Sequence, residues 1–185
     1  DGSLPMGRRQ DPDIYGELNC LYLGYCWDVL QDWFGHPERV LAQYASFTPQ
    51  RLSEPGGSMI TVGTPEAVTA IAEMRNGAHV ASIQTGVTHF GQDRIEIYGD
   101  EGTLVCGPSG VNLTGARKGD DTLAPLDVPD DYRDEWSVES DFVRMLRGEI
   151  DTMFLSFEDG VANMAYLDAC YRSARDGRWV EFAME

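Results

Sequence analysis

The sequence predicts an α+β domain in which a largely antiparallel, open sheet packs on helices. The first observation is the order of the segments: a helix, then a meander of strands, then two more helices. The second is a long apolar stretch from Gly16 to Gly35, and the third is Asn76-Gly77, a strong hairpin signal between two strand-like runs. With 185 residues, the chain is expected to form a single domain over residues 1–185.

The charge of the chain excludes some classes of partner. It carries 14 basic and 31 acidic residues, a formal net charge of −17. A field of this sign repels nucleic acids and anionic membranes, so we expect neither as a partner. The four cysteines lack metal-ligand spacing and predict a reduced, cytoplasmic protein. No run is long and apolar enough to span a membrane.

The apolar stretch predicts a buried helix. Between Leu18 and Phe34, polar side chains occur only at Asn19, Asp28, Gln31 and Asp32. A helix that is apolar all round is normally buried all round. Gly24 inside it costs about 1 kcal/mol relative to alanine, which suggests that another element or a ligand approaches the backbone there. With Tyr25 beside it, this helix is either an active-site wall or ordinary core.

The strands follow this helix. They are predicted at Arg39–Thr48, Met59–Val62, Ala67–Arg75, Ala78–Val87, Asp93–Tyr98, Leu104–Cys106, Val111–Ala116 and Trp179–Phe182. Apolar residues lie on both faces of the central strands, with Ile71 and Ile83 among them. Such a pattern is typical of a sheet covered on both sides, by helices on one face and by a partner subunit on the other.

Two helices are predicted near the end of the chain. The first runs from about Glu135 to Arg147, and the second begins at the capping-box pattern Ser156-Phe157-Glu158-Asp159 and ends at Gly177. Apolar residues of the second helix follow helical spacing at Val161, Met164, Ala165, Leu167 and Tyr171. The chain contains no strand–GxGxxG–helix unit and therefore no dinucleotide fold of its own.

The ordered motifs resemble the C-terminal domain of the Gfo/Idh/MocA oxidoreductases. They are RQDPDIYG and WFGHPERV around the first helix, RNGAHVASIQTG and IYGDEGTL in the strands, and SDFVRMLRGE and SFEDGVANMAYLDACYRSARDGRWVEF at the end. In that family a Rossmann domain precedes this domain and binds NAD or NADP. The resemblance implies that residues 1–185 form the substrate-binding and oligomerisation domain of a longer oxidoreductase acting on a sugar, cyclitol or similar polyol.

The resemblance also implies where the cofactor and the catalytic lysine lie and how the protein associates. The NAD or NADP would be bound mainly by the N-terminal domain, with no cofactor-binding residue in this chain, and a catalytic lysine in a Glu-Lys-Pro motif would lie upstream. The isolated domain would be inactive, and a homodimer or tetramer would form through the sheet. The alternative, from another class, is a non-catalytic binding or assembly module that retains the sheet domain.

The family's substrate helix typically reads Asp-x-Gly-x-His or Asp-x-Gly-x-Tyr. Counting back from the end of the helix puts Tyr25 in the His/Tyr position, while Leu21 replaces the aspartate and the glycine is displaced to Gly24. Tyr25 is the candidate catalytic residue, as a proton relay in alcohol oxidation; the other reading is a core tyrosine. Leu21 favours the non-catalytic alternative, and Tyr25 favours the enzyme.

Three further residues are candidates for substrate binding. Gly24 would let a ligand approach the helix backbone, and Asp28 would orient a substrate hydroxyl or belong to a solvent-facing stripe. Arg9, in a motif similar to the family's R-x-D-P loop, would clamp substrate or be an ordinary loop charge. The histidines share no ligand spacing, so no metal site is expected.

Overall fold

The computed structural model describes residues 4–15, 18, 22–107, 112–130, 137–151 and 156–184, except the side chains of Arg9, Pro12 and Tyr15. The chain divides into two compact units. The first comprises Asp1–His89 and Leu155–Glu185, and the second comprises Phe90–Phe154.

Four helices and ten strands lie in the described ranges. The helices are α1 (Pro12–Tyr15), α2 (Leu23–Phe34), α3 (Val138–Leu146) and α4 (Phe157–Asp176), and a 3₁₀ turn covers Arg8–Gln10. The strands are β1 (Pro37–Ala45), β2 (Gln50–Leu52), β3 (Met59–Thr61), β4 (Ala67–Met74), β5 (His79–Thr85), β6 (Ile95–Tyr98), β7 (Gly102–Cys106), β8 (Thr114–Arg117), β9 (Ala124–Pro125) and β10 (Val180–Glu181).

The α+β class predicted from the sequence is confirmed. All strand pairings among the described residues are antiparallel. The strands form three sheets rather than one meander: β10-β1-β4-β5 and the hairpin β2-β3 in the first unit, and β6-β7-β8-β9 in the second. Helix α3, in the second unit, has no buried residue.

The core of the first unit lies between one face of the four-stranded sheet and helices α2 and α4. The sheet contributes alternate residues, since side chains of a strand point to opposite faces every second residue. These are Val40 and Ala42 of β1 and Val68, Ala70, Ala72 and Met74 of β4. Helix α4 lies close to β1: the Ser173 hydroxyl on the helix accepts a hydrogen bond from Ala42 N on the strand at 2.9 Å.

Local sequence signals place the ends of these elements. Gly77 has φ +90° in the turn between β4 and β5, which explains the glycine after Asn76. Asn76 Oδ1 accepts from Ala78 N at 3.0 Å. The predicted capping box is present at α4: Ser156 N donates to Asp159 Oδ2 at 2.8 Å and Asp159 N donates to Ser156 Oγ at 3.2 Å.

The burial predicted for the two long helices is partly wrong. Helix α2 buries Leu23, Gly24, Trp27 and Gln31, but Tyr25 is 67% exposed. In α4, Val161 and Met164 are exposed. The buried residues of α4 are Ala162, Asn163, Tyr166, Leu167, Ala169, Cys170 and Ser173. The face against the sheet is rich in small residues because the helix packs close to β1, and hydropathy spacing does not register such a face.

A buried ion pair joins β2 to the loop before β4. The Arg51 and Glu66 side chains are 3% and 2% exposed, and Arg51 Nη2 donates to Glu66 Oε1. The other carboxylate oxygen accepts from Phe47 N at 2.9 Å and Thr48 N at 2.6 Å. Burial opposes ionisation, but the hydrogen bonds from Arg51 and these two amides outweigh it and lower the pKa of Glu66.

We expect Glu66→Gln to lower the free energy of unfolding by about 3–5 kcal/mol at pH 7, because it removes the negative charge that faces the buried Arg51 guanidinium. Because the pKa of Glu66 is lower in the folded state, its contribution is present above the unfolded pKa and is lost as the pH falls through the folded value. Urea unfolding at several pH values tests this, and Glu66→Gln should show the weaker dependence below about pH 4.3.

The matched control is Glu73→Gln. Glu73 pairs with Arg39 at 2.7 Å, but both side chains are partly exposed to water. Exposed ion pairs contribute little to stability, so this variant should lose much less than Glu66→Gln. Equal losses in the two variants would contradict the assignment of Arg51 and Glu66 as a stabilising buried pair.

Candidate functional site

A groove of about 400 Å³ lies between α2 and α4. Its size falls within the range of small-molecule sites. Helix α2 contributes Gly24, Tyr25 and Asp28, and helix α4 contributes Gly160, Asn163, Met164 and Leu167. The structure therefore brings together three of the four site residues predicted from the sequence.

Tyr25 borders this groove with most of its ring in solvent. The ring makes an edge contact with Tyr22, with centroids 6.5 Å apart. Tyr22 precedes α2 and has a left-handed backbone, φ +58° and ψ +31°, which is uncommon for a bulky residue. The reading of Tyr25 as a core tyrosine is therefore wrong, and its phenol can reach a ligand.

Gly24 and Asp28 lie one helical turn apart and share a contact from α4. Asn163 Nδ2 donates to Gly24 O at 2.7 Å and also to Asp28 Oδ1. A side chain of another helix thus contacts the backbone at Gly24, through a carbonyl oxygen that any residue would carry. Asp28 is half-buried at the groove, so it does not belong to a fully solvated stripe.

A second polar contact joins the same two helices away from the groove. Gln31 is buried, and its Nε2 donates to Asp159 O at 3.2 Å. Hydrogen bonds from the Ser156 backbone and hydroxyl lower the pKa of Asp159, which therefore carries its negative charge at the start of α4. This contact holds α2 against the first turn of α4.

Two predicted features are outside the described residues. They are the side chain of Arg9 and the whole of Leu21.

Asn163 is the residue that the sequence reasoning missed. It lies three and four residues before the buried Tyr166 and Leu167, so it shares their face of α4. A polar residue inside a buried helical face must find a hydrogen-bond partner. A polar residue at this position therefore predicts a hydrogen bond from the sequence alone. The sequence does not identify the partner, which lies more than a hundred positions away.

The described residues contain no group of three or more His, Cys, Asp or Glu side chains arranged to hold a metal ion. They also contain no helix long and apolar enough to cross a membrane. The polar side chains at the groove are those of Tyr25, Asp28 and Asn163, which can exchange hydrogen bonds with hydroxyl groups.

Comparison with known protein families identifies the class of this fold. Residues 5–105 match the family model described as the GFO/IDH/MocA C-terminal domain. The chain belongs to the Gfo/Idh/MocA family, and the resemblance inferred from its motifs is confirmed. No curated protein sequence shows significant similarity to the chain.

Solved structures share the fold over nearly the whole chain. Levoglucosan dehydrogenase in complex with NADH and L-sorbose has a TM-score of 0.82 at 20% identity, covering 100% of this chain and 55% of that one. An NAD-binding oxidoreductase from Klebsiella pneumoniae has a TM-score of 0.82 at 19% identity, with coverages of 100% and 56%. Aldose-aldose oxidoreductase from Caulobacter crescentus, complexed with glycerol, has a TM-score of 0.75 at 16% identity, with coverages of 97% and 53%. The chain thus spans about half the length of these proteins.

Proposed function

We propose that residues 1–185 form the substrate-binding and oligomerisation domain of a longer NAD- or NADP-dependent oxidoreductase that acts on a sugar, cyclitol or similar polyol. The observation that carries the proposal is the groove in which Gly24, Tyr25 and Asp28 lie together with the buried Asn163. Membership of the family supports an oxidoreductase domain, and two structural neighbours are named for the sugars they act on.

The groove lining supports a polyol substrate. Asp28 offers a carboxylate acceptor for hydroxyl groups, and Tyr25 offers a hydroxyl that both donates and accepts. Met164 and Leu167 line the same groove with apolar atoms. A sugar ring presents hydroxyl groups at its edge and C–H groups on its faces, so both kinds of lining would have a partner.

Tyr25 is the proposed proton relay. Oxidation of an alcohol releases a hydride and a proton, and a bound nicotinamide would accept the hydride. Tyr25 would relay the proton: its hydroxyl oxygen would accept the proton of the substrate hydroxyl while its own proton passes to a basic group of the nucleotide-binding domain.

Exposed apolar side chains near the groove support a covering domain. Phe157, Val161 and Met164 are spaced i, i+4, i+7 on α4 and are all exposed, as is Tyr25 on α2. Contiguous exposed apolar surface often marks an interaction site. In this proposal the nucleotide-binding domain covers it and excludes water from the reaction.

The non-catalytic module remains the second candidate function, and the replacement of the family's aspartate by Leu21 favours it. The two candidates differ in a feature upstream of this chain. An encoding gene that specifies a Rossmann domain with the Glu-Lys-Pro lysine would favour the enzyme, and a gene without them would favour the module.

We expect Tyr25→Phe to lower kcat of the full-length enzyme by about 10²–10⁴-fold, the usual loss when a general acid–base group is removed. The change deletes one hydroxyl from an exposed ring, so the melting temperature should not change. Steady-state kinetics with the best sugar or polyol substrate measures the effect.

Tyr98→Phe is the matched control, since Tyr98 is also exposed but lies in the second unit, outside the groove. It should retain wild-type kcat. Equal activity of Tyr25→Phe and wild type would leave Tyr25 as a binding or surface residue and remove it from catalysis.

The isolated 185-residue chain should bind NADH and NADPH negligibly. A pyrophosphate is usually held by a glycine-rich turn at a helix N-terminus in a parallel βαβ unit. All described strand pairings are antiparallel, so the described residues offer no such cradle. Calorimetric titration tests this expectation, and binding at micromolar strength would show that the cofactor site lies within this chain.

The outward face of the β1-β4-β5 sheet is the proposed oligomer interface. Ile71 and Ile83 both point away from the core and are 39% and 75% exposed. The register places Leu41 and Ala81 beside Ile71 and Thr69 beside Ile83, so the centre of this face lacks charged side chains. A second copy covering it would bury apolar surface, and obligate interfaces often exceed about 2,000 Å².

Ile83→Asp should convert the dimer to a monomer, because the interface would then bury an unpaired charge. Multi-angle light scattering at tens of micromolar protein measures the mass. Met59→Asp, an exposed apolar position on the separate β2-β3 hairpin, is the control and should stay dimeric. A monomeric wild type would contradict the proposed interface directly.

A further inference from the structure

Asn163 donates both hydrogens of its side-chain amide in hydrogen bonds to one turn of α2. The residue is 7% exposed, and its Nδ2 donates to Gly24 O at 2.7 Å and to Asp28 Oδ1. A carboxamide NH₂ has two hydrogens, so neither remains for a ligand. One atom of α4 therefore fixes both a backbone carbonyl and a carboxylate of the groove wall.

The contact leaves Oδ2 of the Asp28 carboxylate open to a ligand. Oδ1 accepts from Asn163, whereas Oδ2 has no hydrogen-bond donor among the described residues. A free aspartate side chain would have to be ordered when a ligand binds, which reduces affinity. With Oδ1 held, this ordering is already present in the folded chain.

We propose that Asn163 is a positioning residue of the substrate site, which holds Asp28 so that Oδ2 accepts a hydrogen bond from one substrate hydroxyl. This inference rests on the proposed function, in which the groove binds a sugar or polyol. It adds that the binding strength contributed by Asp28 depends on a residue that itself donates no hydrogen bond to substrate.

If Asn163 only joined the two helices, its loss would lower stability without affecting substrate binding. Gln31 provides the control for this purely structural role. Gln31 makes the same kind of interhelical amide contact, to Asp159 O at 3.2 Å, but neither Gln31 nor Asp159 lines the groove. Asn163→Leu and Gln31→Met each remove one such amide with little change in volume. Both should lower the melting temperature, whereas only Asn163→Leu releases Asp28.

The experiment is steady-state kinetics of the full-length enzyme with a panel of aldoses, cyclitols and levoglucosan, together with melting temperatures. For the best substrate, we expect Asn163→Leu to raise KM by about tenfold to a hundredfold, the size of one hydrogen bond to a charged group. Its kcat should change much less, and Gln31→Met should keep the wild-type KM. Asn163→Ser, which is too short to reach both acceptors, replaces Asn163→Leu if that variant does not fold.

A double-mutant cycle with Asp28→Asn identifies the route of the effect. If Asn163 acts through Asp28, the double variant Asp28→Asn/Asn163→Leu has the same KM as Asp28→Asn alone. Additive effects, or a KM for Asn163→Leu equal to that of Gln31→Met, would overturn the inference while leaving the proposed function intact. A wild type that turns over no member of the panel would overturn the proposed function and this inference with it.

Discussion

The stacking of Trp27 on Tyr166 is the contact on which the geometry of the groove depends. The two rings lie 3.6 Å apart between centroids and 6° from parallel, and both are almost fully buried. Large aromatic pairs of this kind contribute much of the apolar area of a core. Trp27 lies three residues after Gly24 and one before Asp28, and Tyr166 lies three residues after Asn163. The stack therefore sets the register along the helix axes at which the polar residues of α2 and α4 meet. The geometry of the candidate site thus depends on packing in the core.

The features that the sequence predicted are those that depend on a few adjacent residues. The turn at Asn76-Gly77 needs a positive φ that glycine adopts without strain, and the structure has it. The start of α4 at Ser156 and its end at Gly177 follow from capping residues that satisfy backbone groups at the helix ends. The α+β class could be derived in the same way, because it requires only the order and approximate lengths of the elements.

The features that could not be predicted depend on what lies across the core. A helix that packs closely on a strand buries small residues, and the face of α4 that includes Ala162, Ala169 and Ser173 has little hydropathic signal. The exposure of Tyr25 has the same origin, since an apolar sequence can be buried only where another element is available to cover it. The division of the strands among separate sheets is likewise a matter of pairing between segments, which hydrophobic alternation does not encode.

The candidate site contains residues that the sequence could group and one that it could not. The spacing within α2 was enough to group Gly24, Tyr25 and Asp28, because residues one turn apart share a helix face. Asn163 is 135 positions from Asp28, and only the packing of α4 reveals it. An apolar side chain could fill that position without any requirement for partners, whereas a buried amide is stable only when the two helices meet in one register. The aromatic stack supplies the burial, and the amide makes that register exact enough to fix the orientation of a carboxylate at the groove.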